Sequence, residues 1–440
     1  MTDHRYANQA NERKTRIFCS FLAAIVASSV FLFSGCLDDG NTEEIKPAEY
    51  GDYGKNIAMT LASEFPERYA YSEQEREAGL LIKDELTRMG YTVEEQEFYD
   101  SYRAHQSTNY IVRIPGEGFM LREEGELYTP IKRTVVVGVH YDIAKLPNSE
   151  MPDPVEPDPT ATTTGESDEN GTQESIEPTE APRIYDGIHA NASGVACLLT
   201  IADRIRAEKP AYDVILVAFG AGTDDFCGAR AFLSSMTTEE RESIDVMYCV
   251  DSIYAGDKLY ASSGLSSLLP GRKYEFRRKL YEAYDVVYNN TLRSLNGVDL
   301  YYNESGIYID ANNDDIADIY REVTVNRSDY VPFDEAEIPI VFFESFEYNA
   351  PVLSEMKETK NLNLQEEGGF IRGTSLDASA FLEQELGPDR LRIRVNNTAF
   401  IIIEAIDRGP HDTLPVSRYN DGERLDKIIR VTETIPYQSR

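Results

Sequence analysis

Arg133-Thr-Val-Val-Val-Gly-Val-His140-Tyr-Asp142 and Val214-Ile-Leu-Val-Ala-Phe219-Gly-Ala-Gly222-Thr223 are the two stretches that decide the fold. Each opens with a run of β-branched and aliphatic residues without polar alternation. That is the pattern of a strand covered on both faces. Ser193–Glu208 lies between them in sequence and reads as a helix with Ser193 as its cap. Downstream, Gly228–Ser235 reads as helix, Ile244–Asp251 as strand, Gly271–Tyr284 as amphipathic helix, Pro339–Phe343 as buried strand and Leu391–Ala405 as the closing helix. Upstream, Ser72 precedes a helical pattern with Leu80, Leu81, Leu86 and Met89 as its apolar face and Gly90 as terminator. Thr92–Tyr99 and Ser107–Ile114 alternate like strands. Strands alternating with helices predict an α/β fold, a mixed, mostly parallel central sheet with helices on both faces. Such sheets bind ligands at the carboxyl ends of their strands, where His140, Asp251 and Gly222 are expected to gather.

The 440 residues suffice for one large α/β domain, and 41% hydrophobic residues is ordinary for a folded protein. A formal net charge of −34 repels nucleic acid and anionic lipid, which excludes both as partners of the surface. Residues 1–36 carry a basic start (Arg13, Lys14, Arg16) and an apolar run, Ile17–Phe33, too short for a durable membrane span. The run ends in Leu32-Phe33-Ser34-Gly35-Cys36, which resembles a bacterial lipoprotein signal. That resemblance implies export, cleavage before Cys36 and a lipid on its thiol. Residues 37–50 then read as a tether, 51–415 as the folded domain and 416–440 as a tail. Within the domain, Leu146–Pro182 is almost wholly Pro, Glu, Asp, Ser, Thr, Gly and Asn, and reads as a disordered acidic loop at the rim of the expected site. Cys197, Cys227 and Cys249 have no framework spacing and read as buried small residues, with a Cys227–Cys249 bridge the one pairing left open. Asp310-Ala-Asn312-Asn-Asp314 imitates a calcium loop but lacks the glycine and the bidentate Glu that such a loop needs.

Three turns carry the chemistry: Val-Gly-Val-His140-Tyr-Asp142, Gly187-Ile-His-Ala190-Asn-Ala-Ser-Gly194 and Phe219-Gly-Ala-Gly222-Thr223-Asp-Asp-Phe-Cys-Gly-Ala-Arg230. With Ser107-Thr-Asn109-Tyr-Ile-Val and Ser328-Asp329-Tyr330-Val-Pro332-Phe333, they resemble the double-zinc aminopeptidase family, over roughly residues 55–410. The resemblance implies a phosphorylase/aminopeptidase-like three-layer α/β/α sandwich. It also implies two zinc ions, a bridging carboxylate and a separate carboxylate base. Carried over position by position, the histidine ligand is His140 and the residue that orients it is Asp142. The aspartate after the next strand is Asp251. The bridging aspartate falls on Ala190, the general base on Gly222, a glutamate ligand on Thr223 and the final histidine on Tyr330. Two metal ligands are thus kept and the other positions lack a donor.

Zinc wants about three or four protein ligands of His, Cys, Asp or Glu type, and peptide hydrolysis wants a base beside the metal-bound water. The sequence therefore predicts an exported, lipid-anchored lipoprotein of the cell envelope whose aminopeptidase-like domain is catalytically silent. It would bind a peptide or protein ligand, or act as a scaffold, without a cofactor. The alternative is an active extracellular zinc aminopeptidase with a rewired site of His140, His189 and Asp251, in which Asp186, Asp224, Asp225, Asp329 and Glu344 also stand near by sequence. A third reading has an inert domain presenting the acidic loop to a cationic partner. Glycine at 222 and alanine at 190 predict emptied volume in the cleft. Tyr330 and Tyr301-Tyr302-Asn-Glu-Ser-Gly-Ile-Tyr308 would either line that cleft or cover a sheet edge.

Overall fold

In the computed structural model the described residues are 47–425, apart from 125–126, 147–182, 208, 269–270, 272, 294–298, 305–306, 310–317 and 351–352. The signal with Cys36, nearly all of the tether and of the acidic loop, the calcium-like stretch and the end of the tail lie outside them.

The strands, in chain order, are β1 (Val93–Tyr99), β2 (Gln106–Ile114), β3 (Phe119–Arg122), β4 (Tyr128–Ile131), β5 (Thr134–His140), β6 (Asp213–Phe219), β7 (Ile244–Val250), β8 (Lys258–Ser262), β9 (Ile307–Ile309), β10 (Asp318–Tyr320), β11 (Ile340–Phe346) and β12 (Thr413–Pro415). Seven of them form the central sheet in the order β1-β2-β6-β5-β7-β11-β8. The pairings β6–β5, β5–β7 and β7–β11 are parallel, while β1–β2, β2–β6 and β11–β8 are antiparallel. Only β2 and β8 therefore run against the rest.

The valine run of β5 explains its central place. Side chains alternate across a strand, so both faces of an apolar run need a cover. Val135, Val137 and Val139 enter one core, while Val136 enters another. Leu216 and Ile215 of β6, and Tyr248 and Met247 of β7, divide in the same way. The helices are α1 (Tyr53–Glu64), α2 (Glu73–Arg88), α3 (Ser193–Ile205), α4 (Cys227–Ser235), α5 (Thr238–Ser243), α6 (Lys273–Asn289), α7 (Val331–Glu335), α8 (Ser379–Leu386), α9 (Arg390–Asp407) and α10 (Val416–Asn420). Residues of α1, α2, α3, α6, α8 and α9 fill the first core, and those of α4 and α7 the second. The architecture is thus the expected three-layer α/β/α sandwich. α3 buries eleven of its thirteen residues. Each large apolar side chain taken from water there contributes about 1.5–3 kcal/mol.

Several local expectations shift. Ser72 does cap α2, accepting from Glu75 N at 3.0 Å. Of the expected apolar face, Leu86 and Met89 are buried and Leu81 packs against the core, but the most buried stripe of α2 also takes in Glu75, Ala78, Gly79 and Ile82 and leaves Leu80 out. Ser193 does not cap α3: its hydroxyl donates to His189 O, and Asn191 Oδ1 accepts from Gly194 N instead. Residues 416–425 belong to the folded unit rather than to a tail, because α10 follows β12, which pairs with β3, and the Tyr419 ring packs against Tyr128. Pro47–Tyr50 is likewise part of the folded unit, with Tyr50 against Phe400. Cys227 and Cys249 are not bridged, and all three described cysteines are free thiols.

Candidate functional site

Parallel pairing sets the site. β5 runs level with β6, so that His140 faces Phe219, and Val250 of β7 faces Phe343 of β11. The turns after β5, β6 and β7 therefore open on one edge of the sheet. They enclose a cleft of about 340 Å³ lined by His140, Ala190, Gly222, Thr223, Asp251 and Arg372. A larger groove of about 690 Å³ lies around Arg133, Ile244 and Pro339, at the amino ends of β5, β7 and β11. It collects none of the turn residues.

Asp142 organises the β5 and β6 turns. It is fully buried and accepts from Gly222 N at 2.7 Å, Thr223 N at 3.0 Å and Thr223 Oγ1 at 2.5 Å. Its Oδ1 stands 3.4 Å from His140 Nδ1. Burial alone would raise its pKa, but the hydrogen bond and charge of His140 and the Thr223 donors outweigh burial and hold the carboxyl below its usual range. Opposite, Asp377 accepts from His189 N and Ala190 N, which fixes the turn before α3. Burial pushes this carboxyl up to about 6.

Asp251 is the floor of the cleft. Its Oδ1 accepts from Ser252 Oγ at 2.8 Å, and its Oδ2 from Ser328 Oγ at 2.8 Å. On Oδ2 also converge the Arg372 Nη1 at 3.1 Å and the His140 Nε2 at 3.5 Å. Burial pushes the Asp251 carboxyl up, yet Arg372 and His140 hold it far below the ordinary range. For His140, burial opposes the charged form, but Asp251 and Asp142 raise the pKa well above its usual value. The floor is therefore an imidazolium and a guanidinium sharing one carboxylate.

Asp329 lies beneath this group with both oxygens buried and unpartnered. Burial pushes its carboxyl up to about 7, with the charge of His140 opposing and Asp251 and Asp142 adding. In the unfolded chain the same carboxyl titrates near 4. Between about pH 4 and 7 the unfolded carboxyl is ionised while the buried one keeps its proton, so Asp329 costs stability that grows across that window. Asp329→Asn is expected to raise unfolding free energy by about 2 kcal/mol at pH 8 and to change it little at pH 4. Urea unfolding at both values checks this. An equal gain at the two would rule out the titration.

Of the remaining expected residues, Asp225 lines the cleft and the others scatter. His189 is turned away from the cleft: its Nδ1 accepts from Ala255 N at 3.2 Å and its Nε2 lies 3.2 Å from Glu358 Oε1. It cannot join His140 and Asp251 without leaving both partners. Tyr330 donates to Asn326 O at 2.6 Å and packs on Phe342 in the second core, so it does not line the cleft. Tyr301 bridges to Tyr260 on β8 and covers that edge of the sheet. Asp224 accepts from the Tyr71 hydroxyl, Asp225 stands between Arg230 and Arg327, Asp186 accepts from Ser379 N, and Glu344 accepts from Thr324 and Tyr348. Gly222 lines the cleft, yet the space where its side chain would begin is filled. A Cβ there would stand 2.7 Å from His140 Cγ and closer still to its Cβ, with Asp329 Oδ1 at 3.0 Å.

These residues do not fit a pair of zinc ions. His140 and Asp251 offer two donors, Oδ2 of Asp251 is shared with Arg372, and among the described residues no three His, Cys, Asp or Glu side chains group to hold a metal. Arg372 itself was missed from sequence. It follows Gly369-Phe-Ile in a long irregular stretch, with no spacing that links it to Asp251.

A three-layer sandwich with its site at these strand ends defines an aminopeptidase-like class of α/β protein. The chain belongs to peptidase family M28, whose model matches residues 124–363. It is similar to the alkaline phosphatase isozyme conversion protein of Escherichia coli (strain K12), at 21% identity over 232 residues, 52% of this chain. The chain spans 59% of the length of that relative. Solved structures similar to it include a glutaminyl cyclase of an Acidobacteriales bacterium, with a TM-score of 0.49 and 16% identity over 82% of this chain and 96% of that one. Another is a zinc aminopeptidase of Bacillus subtilis, with a TM-score of 0.47 and 12% identity over 80% of this chain and 94% of that one.

Proposed function

We propose that this chain is a non-catalytic member of family M28, exported and held at the cell envelope by a lipid on Cys36, whose cleft binds a peptide or other small ligand without hydrolysing it. The observation that carries the reading is Arg372 Nη1 on Asp251 Oδ2, at 3.1 Å. A guanidinium already neutralises the carboxylate that the family resemblance assigns to metal. At the general-base position stands Gly222, where His140 leaves no room for a side chain. Peptide hydrolysis by this family's chemistry needs both a metal and a base.

One distance favours a second reading. The 3.5 Å between His140 Nε2 and Asp251 Oδ2 is a separation that two ligands of one ion can have. An active aminopeptidase with unusual ligands would use that pair. Metal analysis of the purified protein, with aminoacyl chromogenic substrates tested in zinc, cobalt and manganese, separates the two. The binding reading expects zinc far below one per chain and turnover at background. Stoichiometric zinc with turnover, both lost in His140→Ala and Asp251→Ala, would establish the enzyme. The same preparation, extracted from membranes, is expected to carry a lipid that Cys36→Ala lacks.

A further inference from the structure

We infer that the ligand of this cleft presents a carboxylate, and that Arg372 receives it. The inference rests on the reading of the cleft as a ligand site and adds the chemistry of what enters.

Arg372 has five N–H donors in a planar fork. Among the described residues one acidic side chain, Asp251, lies within ion-pair distance of it, Glu358 and Glu344 add their charge from further off, and the side chain keeps 29% exposure at the cleft. Donors therefore remain open to whatever enters. Asp251 has less capacity. It is almost wholly buried, its Oδ1 already accepts from Ser252 and its Oδ2 meets Ser328, Arg372 and His140, so it presents little to an incoming ammonium. A second cation, Arg327, stands at the mouth of the same cleft. Its side chain is 62% exposed, lies 5.3 Å from the Phe226 ring centre and is only loosely tied to Asp225 at 3.6 Å. Asp225 is itself shared with Arg230. The cleft thus offers guanidinium donors over a buried carboxylate that four side chains already engage. A planar carboxylate matches the guanidinium fork with two parallel N–H···O bonds, which an ammonium point charge does not reproduce. On a chain of net charge −34, such a local site is where an anion finds a foothold.

Calorimetric titration of the purified protein tests this with three N-acetylated tripeptides. They are Ala-Ala-Ala with a free carboxyl terminus, its carboxyl amide, and Ala-Glu-Ala amide. Acetylation also keeps any aminopeptidase turnover out of the measurement. The result expected is that one of the carboxylate peptides binds at least about tenfold tighter than the Ala-Ala-Ala amide. Which of the two binds says whether a chain terminus or a side chain is read. Arg372→Lys, which keeps a cation for Asp251 but loses the fork, is expected to erase that preference. Arg327→Gln, at an exposed position, is expected to weaken it. If the amide binds as tightly as both acids, the carboxylate inference is overturned and the ligand-site reading stands. If none of the three binds, both fall. A preference that survives intact in Arg372→Lys and Arg372→Met assigns the carboxylate to another residue and overturns the role of Arg372.

Discussion

Placing a carboxylate where the family resemblance puts the general base, by Gly222→Glu, is expected to destabilise the protein by about 3 kcal/mol and to yield no peptidase activity. Any side chain at 222 must begin with a Cβ, and that atom would sit 2.7 Å from His140 Cγ and closer still to its Cβ. Those atoms are not the loose end of a long side chain. They lie next to the backbone of β5, which is hydrogen-bonded on both sides to β6 and β7. Relief therefore requires the β6 turn to move. That movement pulls Gly222 N and Thr223 N off the Asp142 carboxylate, which accepts from both. Overpacking and lost hydrogen bonds act together, so the effect exceeds that of a surface change. Thermal and urea unfolding of Gly222→Glu beside Gly222→Ala measures it. Both variants share the Cβ clash, so a wild-type stability in Gly222→Ala would show that the turn yields freely. Activity in Gly222→Glu would show that only the base was missing.

Asp142→Ala is expected to cost about 3–5 kcal/mol, the range for stranding buried partners of a charge. The substitution leaves Gly222 N, Thr223 N and Thr223 Oγ1 without their acceptor and removes one of the carboxylates that raise the His140 pKa. The loss has a pH signature. The folded-state pKa of Asp142 is depressed, so its contribution is present above the unfolded value near 4 and fades as pH falls through the folded value. The gap between wild type and Asp142→Ala should therefore be widest near neutrality and narrow in acid. This is the reverse of the Asp329 profile, in which the wild-type carboxyl is the burden and its cost vanishes toward pH 4. Urea unfolding across pH 3–7 resolves the two. A gap independent of pH would mean that Asp142 acts by shape rather than by charge.

Much of the architecture was legible because strands and helices write their burial in local periodicity. The valine run of β5 announced a strand covered on both faces, and the strand ends at 140, 219 and 250 fell where the pattern stopped. The gathering of His140, Gly222 and Asp251 at one cleft was legible as well, because each sits where a strand pattern ends. The caps were less so. Ser193 resembles an N-cap, yet Asn191 performs that task, since the turn held by Asp377 brings its amide over Gly194. Likewise Leu80 looks core-facing by hydropathy, and while Leu81, Leu86 and Met89 do meet the core, Ala78 and Gly79 give the closest approach of α2 to the sheet, with Tyr110 packed over Gly79.

From its own order of residues, this chain determined the sandwich, the edge on which its turns meet and the presence of Ala190, Gly222 and Thr223 in those turns, because each is a property of neighbours in sequence. Only the tertiary structure decided what stands beside them. Arg372 reaches Asp251 from a distant irregular segment, and His140 takes the space beside Gly222 that the sequence left apparently open. Charge neutralisation and close packing act between atoms near in space, and no local pattern records which far segment supplies them.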